Sequence, residues 1–295
     1  MKQVSSTLRR LARRLFADES AQSRLIDALT NPRELPTAVV WVRDRPAQNP
    51  FTPLARGDWL PDYVDLIDIS ERPGRHAVHD AGDIYCLDPS SVFAAAVLTQ
   101  VSSADQIFDL CASPGGKSIL AARRFPGASL LCNEVIGKRT AALISNLKRC
   151  QINRVQVASQ DVSRLADERP RAADVVLVDA PCSGQSLIAR GKKSPGCFHP
   201  ATINMNANRQ RRILSHAVRM VSPGGFLAYM TCTYSLKENE RNVDWLLKKN
   251  PQLQAVDVPL LETYRSQWSE HPCYRLWPWT AVGAGAFTVL LQSVD

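Results

Sequence analysis

The chain has 295 residues, 45% of them hydrophobic and 22% charged, a globular composition with room for a full α/β unit and a smaller accessory segment. Thirty-six Lys and Arg against 28 Asp and Glu leave a net charge of +8, which suits a polyanionic partner without requiring one. Eight cysteines form no CxxC pair and no apolar run approaches the ~18 residues of a membrane span, so a zinc ribbon, a disulfide scaffold and a membrane protein are disfavoured and reduced thiols in the cytoplasm are expected. In chain order, residues 5–16 and 18–30 predict two helices. Leu8, Leu11, Leu15 and Phe16 share one face of the first, and Arg9, Arg10, Arg13 and Arg14 the other. Such a start also fits a targeting segment over residues 1–17; Asp18, Glu19 and Asp27 continue the pattern and favour a helix packed on its own domain. Residues 38–42 predict a strand. Pro32, Pro36, Pro46, Pro50, Pro53 and Pro61 break residues 1–85 into a small, irregular α+β segment. His76 and His79 form an HxxH that reads as loop rather than as a metal-ligand pair.

From about residue 90, strands at 106–110, 129–132, 155–158, 174–178, 226–230 and 286–291 alternate with helices at 118–124, 137–150, 202–221 and 237–250. Pro223-Gly224-Gly225 separates the 202–221 helix from the strand that follows it. This alternation predicts an α/β fold, a Rossmann-like doubly wound sheet over 86–295. Ligands of such sheets sit at the carboxyl ends of the strands.

After the first of these strands comes Asp109-Leu110-Cys111-Ala112-Ser113-Pro114-Gly115-Gly116-Lys117-Ser118. A Walker A loop would need glycine where Cys111 stands, and a GxGxxG fingerprint is absent. The remaining reading is a loop for a nucleoside cofactor without phosphate, such as S-adenosylmethionine. Glu134 just past the second strand then suits the ribose hydroxyls and Asp161 after the third suits the adenine, although either acid could equally be a helix cap.

The fourth strand runs into Asp179-Ala180-Pro181-Cys182-Ser183-Gly184, and the fifth into Thr231-Cys232-Thr233-Tyr234-Ser235. One such cysteine is ordinarily a small core residue, but two at adjacent strand ends are poorly explained by packing. A thiolate adding to C6 of cytosine would make C5 nucleophilic enough to take a methyl group. That chemistry needs the thiolate, a donor to N3 such as Asp179 in its protonated form, and a second group for elimination. Spacing alone does not choose between the two thiols.

DLCASPGGKS, Asn133-Glu134, DAPCSG and TCTYSLKENE together resemble the RNA cytosine-C5 methyltransferases of the RsmB and Sun group. GDIYCLDPSS at 82–91, Arg209-Gln210 and Ala284-Gly285-Ala286-Phe287 are similar to the same family. The resemblance implies an S-adenosylmethionine-dependent enzyme acting on RNA, ribosomal RNA before transfer RNA, as a monomer without a metal. It makes Cys111, Ala112, Ser113, Pro114, Gly115, Gly116, Lys117, Glu134, Asp161 and Asp179 the cofactor set, Cys232 the nucleophile and Cys182 the thiol that assists release. Residues 188–199 depart from the family, lacking its Asp-Pro-Glu and Trp. Rival readings are a silent RNA-binding assembly factor and a methyltransferase for DNA cytosine or a protein side chain. Arg190, Lys192 and Lys193 are candidate phosphate contacts; Arg209, Arg211 and Arg212 are expected to be solvated, and Trp277 and Trp279 to be packing.

Overall fold

In the computed structural model, which describes residues 5–295, two capped helices open the chain. Ser5 accepts from Leu8 N to start α1 (Ser6–Leu15), and Asp18 accepts from Ala21 N to start α2 (Glu19–Thr30). Leu8, Ala12 and Leu15 are buried with Leu25 and Leu29, so the apolar face of the basic first helix packs on this protein's own core. Residues 1–4 of the targeting reading lie outside the described residues.

Next come β1 (Thr37–Trp41), β2 (Val64–Ile67), the one-turn α3 (Ala77–Asp80) and β3 (Ile84–Leu87). The three strands form an antiparallel sheet in the order β2-β1-β3. The expected segment end at residue 85 falls inside β3. His76 is the N-cap of α3, accepting from Val78 N. Asp88 and Pro89 then start α4 (Pro89–Ala95), which is buried along nearly its whole length. Val40, Trp59 and Phe93 belong to the same hydrophobic cluster as Ile107, Leu130 and Leu290, so the small sheet and the large one share a core.

The large sheet follows the expected alternation. It comprises β4 (Gln106–Asp109), α5 (Gly116–Arg124), β5 (Ser129–Asn133), α6 (Gly137–Arg149), β6 (Val155–Ala158), α7 (Val162–Glu168), β7 (Ala173–Asp179), α8 (Ser186–Ala189), α9 (Pro200–Met220), β8 (Val221–Thr231), α10 (Glu240–Lys249), β9 (Leu253–Ala255), β10 (Tyr274–Leu276) and β11 (Ala286–Ser293). Strand order is β10-β11-β8-β7-β4-β5-β6, with β9 on β11. Strands β6, β5, β4, β7 and β8 are mutually parallel; the central β7 is buried on both faces, hence its unbroken run Val175–Val178. The β11 strand runs antiparallel to β8. The order reverses between β4 and β7, which places a ligand crevice at their carboxyl ends.

Two boundaries differ from expectation. Strand β8 already starts at Val221: Ala173 pairs with Val221 and Val175 with Phe226, so Ser222–Gly225 is an irregularity inside the strand rather than a loop before it. Helix α10 starts at Glu240 instead of Lys237. The side chain of Asn239, which could have continued a helix, instead accepts from Thr231 Oγ1 at 2.6 Å and donates to Thr233 O at 2.8 Å.

Candidate active site

The loop after β4 is braced from three sides. Asp109, buried at the strand end, accepts from Ser118 Oγ of α5 at 2.7 Å. Burial pushes Asp109 up to about 6 against the pull of that hydrogen bond. From α6, Asn146 Nδ2 donates to Pro114 O at 2.9 Å and Arg139 Nη2 to Ser113 O at 2.6 Å. Gly115, the residue before α5, sits at φ +112°, where a side chain would be strained. Burial pushes the Cys111 thiol well above its ordinary range, so this cysteine lines the loop as a neutral side chain.

Glu134 lies just past β5 and is only 3% exposed. Its Oε1 accepts from Ile136 N at 2.9 Å. Its Oε2 is 3.1 Å from Arg139 Nη1 but outside hydrogen-bond geometry, and has no donor. Beside it Val135 and Ile136 present apolar side chains to solvent. A buried carboxylate oxygen that pairs with Arg139 but accepts no hydrogen bond, next to an apolar ledge, fits the ribose and base of a nucleoside. Asp161 is placed differently. It is the N-cap of α7, accepting from Ser163 N at 2.9 Å, and its other oxygen pairs with Arg212 Nη2 at 2.8 Å.

The two cysteine loops meet because β7 and β8 are neighbours, with Asp179 paired to Met230. Cys182 Sγ and Cys232 Sγ are 3.1 Å apart. Lys117 Nζ is 2.6 Å from Asp179 Oδ2 and 3.3 Å from Ser91 Oγ. Burial works against the Lys117 ammonium, but Asp179 outweighs it and the net shift is upward. The hydrogen bond from Cys182 chiefly lowers Cys232, helped by Lys117 and Ser186 against burial and Asp179; Cys182 is correspondingly pushed well up, as the donor of that bond and by burial. Of the two, Cys232 is the sulfur eased toward the thiolate and Cys182 the one held as a thiol. Asp179 accepts from the Lys117 ammonium, which sets an N–H donor beside the two cysteine loops. The Gly184 φ of +69° turns the chain sharply after Ser183. Gln185 then ties the loops together, accepting from Tyr234 N at 3.0 Å and donating to Cys197 O at 3.0 Å.

A cleft of about 930 Å³ runs from Ala112–Pro114, Gly116, Lys117 and Asp179 past Tyr85 and Asp88 to Arg33, Arg72 and Arg75 of the accessory segment. Its other wall carries Arg190 and Lys192, with Arg190 held 3.3 Å from Asp88. Arg211 donates to Asn242 and Arg212 pairs with Asp161, so both are tied down on α9. Trp277 is stacked between Tyr234 and Trp279, and Arg24 covers Trp279. Those rings are packing, as expected.

Residues 96–292 match the family described as 16S rRNA methyltransferase RsmB/F. The chain belongs to the RsmB/F family. Ribosomal RNA small subunit methyltransferase F of Cronobacter sakazakii is 32% identical over 209 residues, 69% of this chain and 43% of that protein. The corresponding protein of Erwinia tasmaniensis is 30% identical over 224 residues, 74% of this chain and 46% of that protein. This RsmB/F chain thus spans less than half the length of these relatives. Among solved structures, NSun6 from Pyrococcus horikoshii with SFG superposes with a TM-score of 0.76 at 20% identity, covering 99% of this chain and 98% of that one. A methyltransferase homologue from the same organism gives 0.74 at 19%, covering 98% and 99%. Both share the fold.

Sequence reasoning placed the loop and both thiols of this RsmB/F site but missed four features: the Lys117–Asp179 pair, Gln185, Glu238 between the cysteine loops, and the accessory arginines. The first three are polar residues inside or next to motifs, and the missing signal was the partner each meets across the chain. Arg72 and Arg75 flank Pro73-Gly74 in a stretch that by itself looks like solvated turn.

Proposed function

We propose that this chain transfers a methyl group from S-adenosylmethionine to carbon 5 of a cytosine in RNA, with Cys232 bonded to C6 during the reaction. The observation that carries the reading is the pair of cysteine sulfurs 3.1 Å apart beside the Lys117–Asp179 ion pair. The cofactor supplies an electrophilic methyl on sulfonium; Glu134 and the 111–117 loop would hold it, with Asp161 at the edge of the set. Cys232 adds to C6 as the thiolate, while the Lys117–Asp179 pair offers an N–H donor where negative charge builds on the pyrimidine. After methylation a base takes the C5 proton, the C6–S bond breaks, and Cys182 supplies the proton that lets Cys232 leave. The small-subunit names of the relatives support ribosomal RNA over transfer RNA. No helix among the described residues is long and apolar enough to cross a membrane. Eight free thiols fit a reducing, cytoplasmic setting. Residues 1–87 are the accessory segment that holds the RNA and 88–295 the catalytic one, because β3 completes the small sheet.

Mapping 5-methylcytosine in total RNA from cells with and without the protein tests this directly. Loss of the mark at one or a few small-subunit rRNA cytosines is expected; loss confined to tRNA would move the substrate, and no change would favour the silent scaffold. The cations of the cleft give a second expectation. Neutralising Arg190, Lys192 and Lys193 should weaken RNA binding across sequences and reduce the salt slope by about one unit per lost phosphate contact. An unaltered slope in filter binding would return them to plain surface.

A further inference from the structure

Glu238 is fully buried, and its carboxylate reaches both cysteine loops. Ser183, next to Cys182, donates its N–H to Oε2 at 2.8 Å and its hydroxyl to Oε1 at 2.6 Å. Thr233, next to Cys232, points its hydroxyl at Oε1 at 3.4 Å and lies 2.8 Å from the Ser183 hydroxyl. Gln210 Nε2 of α9 donates to Oε2 at 3.0 Å and to Pro181 O at 3.0 Å. The residues on either side of Cys182 are therefore tied to one anion. The backbone of Glu238 is itself pinned, its carbonyl accepting from Tyr229 Oη and from Asn242 Nδ2. Burying a carboxylate is costly unless donors surround it, and Ser183, Thr233 and Gln210 supply them here.

We propose that Glu238 is a positioning residue, clamping the two loops so that the Cys182 thiol stays against Cys232 for product release. The inference rests on the release role given to Cys182 above. Charge supports the geometry: after the bond to Cys232 and burial, the Glu238 carboxylate adds to what opposes ionisation of the Cys182 thiol. The clamp thus keeps the proton on the sulfur that must give it up.

The test uses the full chain, S-adenosylmethionine and a small-subunit rRNA transcript, reading methyl transfer and denaturant-stable protein–RNA adduct side by side. In Glu238→Gln an amide N–H₂ replaces an acceptor and faces the donors of Ser183 or Gln210. Adduct release should slow by roughly tenfold or more, the scale of a lost hydrogen bond to a charged group, with first-turnover methylation retained. Combined with Cys182→Ala, Glu238→Gln should add nothing, because it acts through that thiol; a further slowing of about tenfold would mean independent action and overturn the clamp. Ser183→Ala removes one donor and should trap adduct more weakly, and it decides the matter where Glu238→Gln does not fold. Adduct in Cys182→Ala but normal release in folded Glu238→Gln and Ser183→Ala overturns this inference alone. No adduct in Cys182→Ala removes the release role beneath it.

Discussion

Cys232→Ala should abolish both methyl transfer and covalent capture of RNA, with activity falling by roughly a thousandfold or more, the scale seen when a nucleophile is removed. Cys182→Ala should behave oppositely in the second respect: it attacks and methylates, then accumulates an adduct that survives denaturant. A transcript carrying 5-fluorocytosine should trap the unaltered protein in the same way, since fluorine blocks loss of the C5 substituent. The two sulfurs are only 3.1 Å apart, so distance does not separate their roles. The bond between them does: it lowers Cys232, and together with burial and the Glu238 carboxylate it raises Cys182. Adduct in Cys232→Ala and none in Cys182→Ala would reverse the assignment. No adduct in either variant, with no methyl transfer by the unaltered chain, would leave a scaffold.

Arg275→Met should cost stability out of proportion to its distance from the chemistry. Arg275 is 2% exposed and Glu240 1%, and the guanidinium grips the carboxylate with two bonds of 2.5 Å. Arg275 also lies over the rings of Trp268, Trp277 and Phe287 and donates to Tyr234 O, two residues past Cys232. Removing it strands a buried anion, at a cost of about 3–5 kcal/mol. For a chain of this size that lowers Tm by roughly 5–15 °C. Arg275→Met combined with Glu240→Leu should recover most of the loss, because two apolar groups leave no charge unpaired. A calorimetric scan with an unmoved transition in the single variant would count against the account.

What the sequence made legible was local. The 109–118 loop, Cys182 and Cys232 each follow an apolar strand directly, so their place at the carboxyl edge could be read from spacing. Contacts formed across the chain could not. Lys117 meets Asp179 with α6 and α7 folded between them, and Glu240 meets Arg275 with the rest of α10 and β9 between. Strands β9 and β10 have three residues each, too few for any period to show. Asp161 illustrates a real ambiguity: an acid after a strand and before a helix suits a ligand or a cap, and its hydrogen bond to Ser163 N shows the cap.

The shared core beneath β1 and β4 bears on how a base gets in. Val40 and Trp59 could swing away from Ile107 and Leu290 only by wetting that apolar cluster, which costs ~25 cal/mol for every Å² exposed. Opening the cleft is therefore costly, and under the proposed reaction the deformation passes to the nucleic acid. A cytosine reaching Cys232 would have to leave its stack, at about a few kcal/mol in a duplex and much less in a bulge or loop. Selection of a target would then begin with how readily the RNA gives up a base, before any side chain touches it.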